Sequence, residues 1–337
     1  MNTPDVVAAV LLIGATLYAV FGGADFGAGF WQLFSGRARD PEAVRERIGH
    51  SLGPVWEANH VWLIFVLVVA WTGFSPAFAD VMESLYIPLA LAALGIVLRG
   101  SGFAFSKVIE GPARTQASMV FAVSSIVTPF FLGVVVGAIA SGSFTGDDAG
   151  DALAWVGWLE VLTGCLFVAS GAYLAAVFLV HDSTAAGEEQ NARFFARCAL
   201  GAALAAGALA AAGVFALRSD ARFVYDGLIG PGLPLVILSG LCGAAALLIL
   251  VRGVRSGFAR RDLLLLRPAA VGAVVAIVWG WGVAQHPYLI PEAVSIKEAA
   301  APGATLDALL VVFAAAVVIV VPALLLLYTL SQKRMLE

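Results

Sequence analysis

The stretch TLDALLVVFAAAVVIVVPALLLLYTL, residues 305–330, decides the fold class, because it carries one charged side chain, Asp307, in 26 residues. An apolar run of about 20 residues is long enough to cross the hydrocarbon core of a bilayer as a helix. Similar runs recur along the chain and are separated by short polar segments. Transmembrane barrels would instead give short segments of alternating polarity. The sequence therefore predicts an all-α integral membrane protein.

The composition supports this class and excludes others. The chain has 337 residues, of which 61% are hydrophobic and 12% are charged. A soluble domain carries about 25% charged residues, so this chain has too few to cover a water-facing surface. Its net charge is −4, and no basic patch with interleaved aromatic residues predicts nucleic-acid binding. The three cysteines lie far apart in apolar runs, so we expect neither a disulfide framework nor a cysteine metal site.

Apolar blocks of sufficient length predict about nine transmembrane helices in a single polytopic domain, residues 1–337. Nine helices would allow two four-helix bundles plus one extra helix. The predicted spans are residues 6–34, 54–74, 81–105, 116–140, 152–180, 194–217, 233–251, 268–285 and 305–330.

The positions of lysine and arginine predict the orientation. With nine spans, the connections alternate between the two sides of the membrane. Sixteen of the 19 basic residues then fall on the side of the connection after the first span, and three fall on the opposite side. Cytoplasmic segments carry the excess of Lys and Arg. We therefore expect the N-terminus outside and the C-terminus in the cytoplasm, and the asymmetry also supports the count of nine.

Asp25 is the first charged residue placed inside a span, in FGGADFGAGF, residues 21–30. A charged side chain at the centre of a membrane helix costs about 2.5–3.5 kcal/mol on insertion scales, so it needs a partner or a task. Gly23 and Gly27 form a GxxxG pattern that favours close packing of another helix. The acid has two open interpretations, a functional carboxylate or a satisfied one at a tight helix crossing.

Glu57 and His60 lie in GPVWEANHVWL, residues 53–63, and share one face of the second span. With Asn59 they supply an acid, an amide and an imidazole, which suit a proton relay. The alternative is an interfacial cap, because an acid in the first turn after Pro54 is ordinary at a helix start.

Arg99 lies near the inner end of the third span, in LRGSGF, residues 98–103. It could snorkel to the inner interface. Its depth matches that of Asp25 and Glu57, however, so three consecutive helices place two acids and one base in the same half of the membrane. An ion pair would lower the cost of burying them.

The histidines argue against haem ligation by this chain. His50, His181 and His286 fall at helix ends or in loops, and His60 alone is intramembrane. A bis-histidine haem needs two facing ligands. We expect this chain to bind no haem itself.

Two N-terminal segments carry a resemblance to a known family. They are GADFGAG, residues 23–29, and GPVWEANHVWLI, residues 53–64. The match extends through residues 98–103 and, more weakly, to HPYLIP, residues 286–291, and to residues 305–306. On these motifs the chain resembles subunit II of cytochrome bd-type quinol oxidases, including the cyanide-insensitive branch.

The resemblance implies a heterodimer with a haem-bearing subunit I, which holds haems b and d, oxidises membrane quinol and reduces O₂ to water. Subunit II in this family supports subunit I and lines a proton route from the cytoplasm, and some members hold a structural quinone in it. The expected location is the bacterial inner membrane. The identity of the quinone and the presence of small accessory subunits are left open.

The resemblance also assigns roles residue by residue. Glu57 matches the family's acid after Pro-x-Trp, Asp25 the acid of the glycine-rich first helix, and Arg99 the arginine of the third. His60 is included with them as part of the proton path or its electrostatics. One departure is Ala104, where many members have an acid. We expect the route here to use water, Ser101 or Ser106 instead.

Two other functions compete with the oxidase. A proton-coupled secondary transporter could use Asp25, Glu57 and Arg99 to couple protons to a solute. A purely structural scaffold subunit would have no proton role. Co-purification of a haem-bearing partner would separate the oxidase from the transporter.

Overall fold

The computed structural model describes residues 2–52, 56–145 and 151–332, without the side chains of residues 52, 56–58, 107, 321, 324–325 and 327–332. Helices make up nearly all of its regular structure, as predicted. The helices of the first half are α1 (Thr3–Leu17), α2 (Gly23–Phe34), α3 (Pro41–Leu52), α4 (Trp56–Gly73), α5 (Ser75–Ser84), α6 (Tyr86–Val108) and α7 (Pro112–Ser141). Those of the second half are α8 (Trp158–Ala185), α9 (Glu189–Asp220), α10 (Arg222–Ile229), α11 (Leu233–Ser256), α12 (Arg260–Gln285), α13 (Ile296–Ala299) and α14 (Gly303–Gln332). A short antiparallel hairpin of β1 (Tyr288–Ile290) and β2 (Val294–Ser295) precedes α13.

The number of membrane spans agrees with the prediction. Within the described ranges, eight helices are long and apolar enough to cross a membrane, and the bent pair α4 and α5 brings the number to nine. The all-α, polytopic membrane fold is therefore confirmed.

A sharp bend ends the helix of the second span, and a second helix follows in the predicted connection between residues 74 and 81. Helix α4 ends at Gly73, and α5 leaves it at an angle of 118°. Pro76 lies in the first turn of α5, where a helix tolerates its missing N–H, and the chain turns at Phe74, the residue between the two helices. The third span consequently begins at Tyr86, whereas we expected residue 81.

The first span is also interrupted, although the sequence predicted one continuous helix. A π-helix, Tyr18–Gly22, joins α1 to α2, and the N–H of Gly23 donates to the carbonyl of Tyr18, five residues earlier. Single π turns inside α-helices often occur at functional sites. Asp25 follows this turn directly in α2.

Helix α2 packs into the centre of the molecule against α7 and α8. The backbones of α2 and α8 approach each other at Gly23 and Gly171, where no side chain intervenes. Further along, the indole Nε1 of Trp31 donates to the carbonyl of Ala172 at 2.7 Å. The close crossing predicted from the GxxxG pattern is therefore present, and α8 is the partner.

The connection after the first span contains α3, a helix outside the predicted spans. Polar contacts fasten this helix to the bundle. Arg47 forms an ion pair with Glu188, which lies just before α9. Ser51 donates to Asp182 near the end of α8 at 3.2 Å, and the same carboxylate pairs with Arg267 of α12. The contacts join α3 to α8 and to the residue before α9, and the Asp182 carboxylate links this region to α12.

Candidate functional site

A buried ion pair joins the first and third spans. Arg99 of α6 donates from Nη2 to Asp25 Oδ1 at 2.9 Å and to the Asp25 carbonyl at 3.1 Å. The two side chains are 1% and 3% exposed. Arg99 therefore does not snorkel to the interface, and the ion pair expected between an intramembrane acid and Arg99 is formed with Asp25.

Helix α7 completes the surroundings of Arg99. Nε donates to Ser125 Oγ at 3.0 Å, and Ser125 in turn donates to the carbonyl of Phe121 at 2.7 Å. The guanidinium carbon lies 4.9 Å from the ring centroid of Phe26 and 4.7 Å from that of Phe121. Arginine between two aromatic faces gains cation–π attraction, which strengthens when water is excluded. The site thus holds its positive charge in place with three helices.

Helices α2 and α7 approach each other closely at Gly29 and Ser125, beside Arg99. A β-carbon on Gly29 would overlap the hydroxyl of Ser125, so a larger residue would push α7 away from α2. Glycine at this position lets the two helices close around Arg99.

Two polar atoms of the ion pair have spare hydrogen-bonding capacity. Within the part of the chain that the structure describes, neither Asp25 Oδ2 nor Arg99 Nη1 has a hydrogen-bond partner. A buried carboxylate oxygen and a buried guanidinium N–H are costly when unpaired. The pair therefore offers one acceptor and one donor to a water or to a proton-carrying group.

His60 lies beside this pair. Its ring centroid is 6.0 Å from that of Phe26 and 6.3 Å from that of Tyr18, and the imidazole is half-buried. The π turn begins at Tyr18, whose ring also packs edge-on against Phe26. The structure thus brings Asp25, Arg99 and His60 into one region around the Phe26 ring.

The remaining predicted residues are Glu57, Ser101, Ala104 and Ser106, and none of them is among the residues that the structure describes around Arg99. The side chain of Glu57 lies outside the described residues, and only its position near the start of α4 is given. Ala104 is exposed on α6. The hydroxyls of Ser101 and Ser106, proposed as substitutes for an acid at Ala104, donate to carbonyls of their own helix at 2.9 and 2.8 Å.

Sequence reasoning missed Tyr18 and Ser125. Tyr18 lies seven residues before Asp25, a separation that returns to the same helix face and could have drawn attention to it. Ser125 follows Ser124 in an otherwise apolar span, but serine is common in membrane helices, so its link to Arg99 had no sequence signal.

A family model described as cytochrome bd terminal oxidase subunit II matches residues 3–331. The chain belongs to this family. Family membership agrees with the multi-pass membrane fold.

Individual relatives share limited sequence identity with this chain, over part of its length. The chain is 29% identical over 131 residues to cytochrome bd ubiquinol oxidase subunit 2 of Bacillus subtilis (strain 168), covering 39% of this chain and 37% of that protein. It is 31% identical over 134 residues to cytochrome bd-I ubiquinol oxidase subunit 2 of Escherichia coli (strain K12), covering 40% and 34%. These alignments thus span little more than a third of either relative.

Two comparisons extend over nearly the whole subunit II chain. A putative cytochrome bd menaquinol oxidase subunit II of Bacillus subtilis is 22% identical over 331 residues, covering 93% of this chain and 91% of that one. The solved structure of the bd oxidase from Geobacillus thermodenitrificans matches with a TM-score of 0.77 and 24% identity, covering 98% of both chains. At this identity the likeness establishes the shared fold.

Proposed function

We propose that this chain is subunit II of a membrane complex that oxidises quinol and reduces O₂ to water. Within that complex, it supports a haem-bearing subunit I and lines a proton path that begins in the cytoplasm. The observation that carries the proton role is the buried Asp25–Arg99 pair in a chain of this family. Membrane interiors retain ionisable residues where protons or substrates pass.

Oxygen reduction consumes protons, which must cross low-dielectric protein to reach the reaction. Arg99 engages Asp25 Oδ1 and leaves Oδ2 as an acceptor, so Asp25 acts as a fixed negative charge that favours a passing proton. His60, near the same aromatic ring, can carry a proton on its imidazole. Glu57 is proposed to take part on the basis of its sequence position, near the predicted cytoplasmic end of the second span.

The haems are assigned to the partner subunit in this proposal. Among the residues whose placement is described, no group of three or more His, Cys, Asp or Glu side chains could hold a metal ion. A structural quinone and small accessory subunits are further parts of the proposal, and extraction of the purified complex followed by chromatography and mass spectrometry tests both.

Purification of the tagged chain from its native membrane tests the function. We expect a second large subunit to co-purify, with haem b and haem d bands in the visible spectrum and quinol-dependent oxygen consumption. A haem-free chain isolated alone would overturn the proposal and favour the proton-coupled transporter.

A second measurement separates the proton role from a purely structural one. Asp25→Asn should lower oxygen turnover per assembled complex, with the ratio of haem to subunit in the purified complex unchanged. Unchanged turnover would indicate a scaffold subunit.

A further inference from the structure

A groove of about 470 Å³ opens on the bundle, and neither Asp25 nor Arg99 lines it. Helices α2, α7, α8 and α9 form its walls, and its lining is almost entirely apolar. Its volume is within the range of pockets that hold small molecules or single chains. Nothing in the proposed proton path uses it.

The groove has the length of one membrane leaflet. Along α9 its lining extends from Phe194 to Ala205, which is about 16 Å at 1.5 Å per residue. Half of a typical hydrocarbon core is about 15 Å. The groove therefore begins at the α3 end of the protein and reaches the middle of the membrane, which is the reach of one acyl chain.

A single cation stands at the mouth of the groove. Arg37 is the one charged residue among those lining the groove, and it is the last residue of the first membrane span, Thr3–Arg37. Its guanidinium carbon lies 4.9 Å from the ring centroid of Phe34, another lining residue. Within the described ranges, Arg37 forms no ion pair with an acid. The aromatic ring thus holds an uncompensated positive charge at the open end.

We infer that this groove is a binding site for an anionic phospholipid of the inner leaflet. One acyl chain lies between α7 and α9, and the headgroup phosphate accepts hydrogen bonds from Arg37. A phosphate and a guanidinium form strong, charge-assisted hydrogen bonds. Arg197, exposed one residue before the lining residue Cys198, adds a second positive charge near the headgroup. Charge complementarity at the mouth selects an anionic lipid over a neutral one.

The first test changes the headgroup contact. The intact complex is purified in mild detergent, delipidated, and incubated with phosphatidylglycerol or phosphatidylcholine, and bound lipids are counted by native mass spectrometry. Arg37→Gln should weaken phosphatidylglycerol binding about fivefold, because one basic residue near an anionic membrane surface contributes about that factor. Arg252→Gln, an exposed arginine that does not line the groove, is the matched control and should bind as wild type does.

The second test fills the groove. A β-carbon on Gly201 would meet no protein atom within 4 Å, and Gly201 lines the groove, so Gly201→Leu should occupy the lipid's space without disturbing the bundle. Gly207 on the same helix is equally open but does not line the groove, so Gly207→Leu is the control. We expect one tightly held phosphatidylglycerol to be lost in Gly201→Leu and retained in Gly207→Leu.

Several results would overturn the inference. Equal retention of phosphatidylcholine and phosphatidylglycerol by the wild type would show that headgroup charge does not matter. Unchanged phosphatidylglycerol binding in Arg37→Gln would rule out the proposed contact between the headgroup and Arg37. A neutral quinone extracted from wild type and absent from Gly201→Leu would identify a different occupant. All of these readouts count lipids, so they are independent of oxidase activity.

Discussion

Gly27 and Gly171 meet backbone to backbone, and a β-carbon on Gly27 would overlap the carbonyl oxygen of Gly171. Asp25 lies two residues before this contact on α2. The depth and rotation of α2, and with them the position of the Asp25 carboxylate, are therefore fixed by the absence of side chains on both helices at this crossing.

Replacing Gly27 with alanine should destabilise the subunit, because α2 and α8 must move apart to admit one methyl group. Overpacking of this kind typically costs about 1–3 kcal/mol. The midpoint of thermal unfolding of the purified complex measures it. Gly207→Ala, where a β-carbon meets nothing within 4 Å, should leave that midpoint unchanged or slightly higher. Equal midpoints for both variants would contradict the contact.

Breaking the Asp25–Arg99 pair from one side should be worse than removing both charges. Arg99→Gln alone leaves a buried carboxylate without its cation, and loss of one partner of a buried pair typically costs about 3–5 kcal/mol. We expect a low yield of assembled complex. The double variant with Asp25→Asn should recover part of that yield, yet its oxygen turnover should stay low. Each yield is expressed relative to wild type. If the yield of the double variant equals the product of the yields of the two single variants, the residues act independently.

Glu57 is predicted to transfer protons. Glu57→Gln keeps the shape of the side chain but cannot titrate, so oxygen turnover should fall substantially while haem content stays normal. Glu57→Asp keeps the acid and should retain much more turnover. Near-normal turnover in both variants would leave Glu57 as an interfacial cap, and loss of haem in Glu57→Gln would point to a role in assembly.

The ion pair between Arg47 of α3 and Glu188, just before α9, should weaken in acid. Hydrogen bonds from Arg47 lower the pKa of Glu188, and Asn191 adds a hydrogen bond at 2.9 Å. Because the folded pKa lies below the unfolded value, this stabilisation is complete above pH of about 4.3 and is lost as the pH falls through the folded pKa. It should amount to about 1 kcal/mol or less, the range for partly exposed pairs.

Thermal unfolding of wild type and Glu188→Gln between pH 3 and 7 measures this effect. The wild type should have the higher unfolding midpoint near neutral pH, and the difference should shrink on acidification. Glu189→Gln, which removes a more exposed acid paired with Arg193 at 3.5 Å, provides the control. A wild-type advantage that persists unchanged at pH 3 would contradict the assignment.

The distribution of basic residues predicts that the C-terminus lies in the cytoplasm and the N-terminus outside. A C-terminal green fluorescent protein fusion should fluoresce, and a C-terminal alkaline phosphatase fusion should be inactive. The opposite pattern would reverse the orientation and move the α3 end, with Arg37, to the outer leaflet.

Much of the fold could be predicted because membrane spans depend on local composition. Apolar length indicated where the spans lie, and charge alternation supported their number, although α12 begins at Arg260 and not at residue 268, and α8 begins at Trp158 and not at residue 152. The π turn before Gly23 and the break at Gly73 could not be located, because both depend on how neighbouring helices pack. Pro76 was a local signal for the break, although proline also occurs within membrane helices.

The candidate site was predicted in part. Asp25 and Arg99 stood out because charged residues are rare in spans, and their shared depth indicated an ion pair. The third helix that completes the site contributes Ser125 and Phe121, and neither differs from ordinary residues of a membrane helix. Which face of α7 meets Arg99 depends on the crossing at Gly29, a tertiary contact that no local pattern specifies.

The π-helix at Tyr18–Gly22 makes this turn an unusually tolerant place for a change in chain length. A π turn accommodates one residue more than an α-helical turn would. Deleting one residue there converts the turn to regular α-helix and keeps α1 and α2 facing their present neighbours. The same deletion elsewhere in the span would rotate all later residues by about 100° and turn Asp25 away from Arg99. Homologous chains one residue shorter in this segment can therefore share the same ion pair.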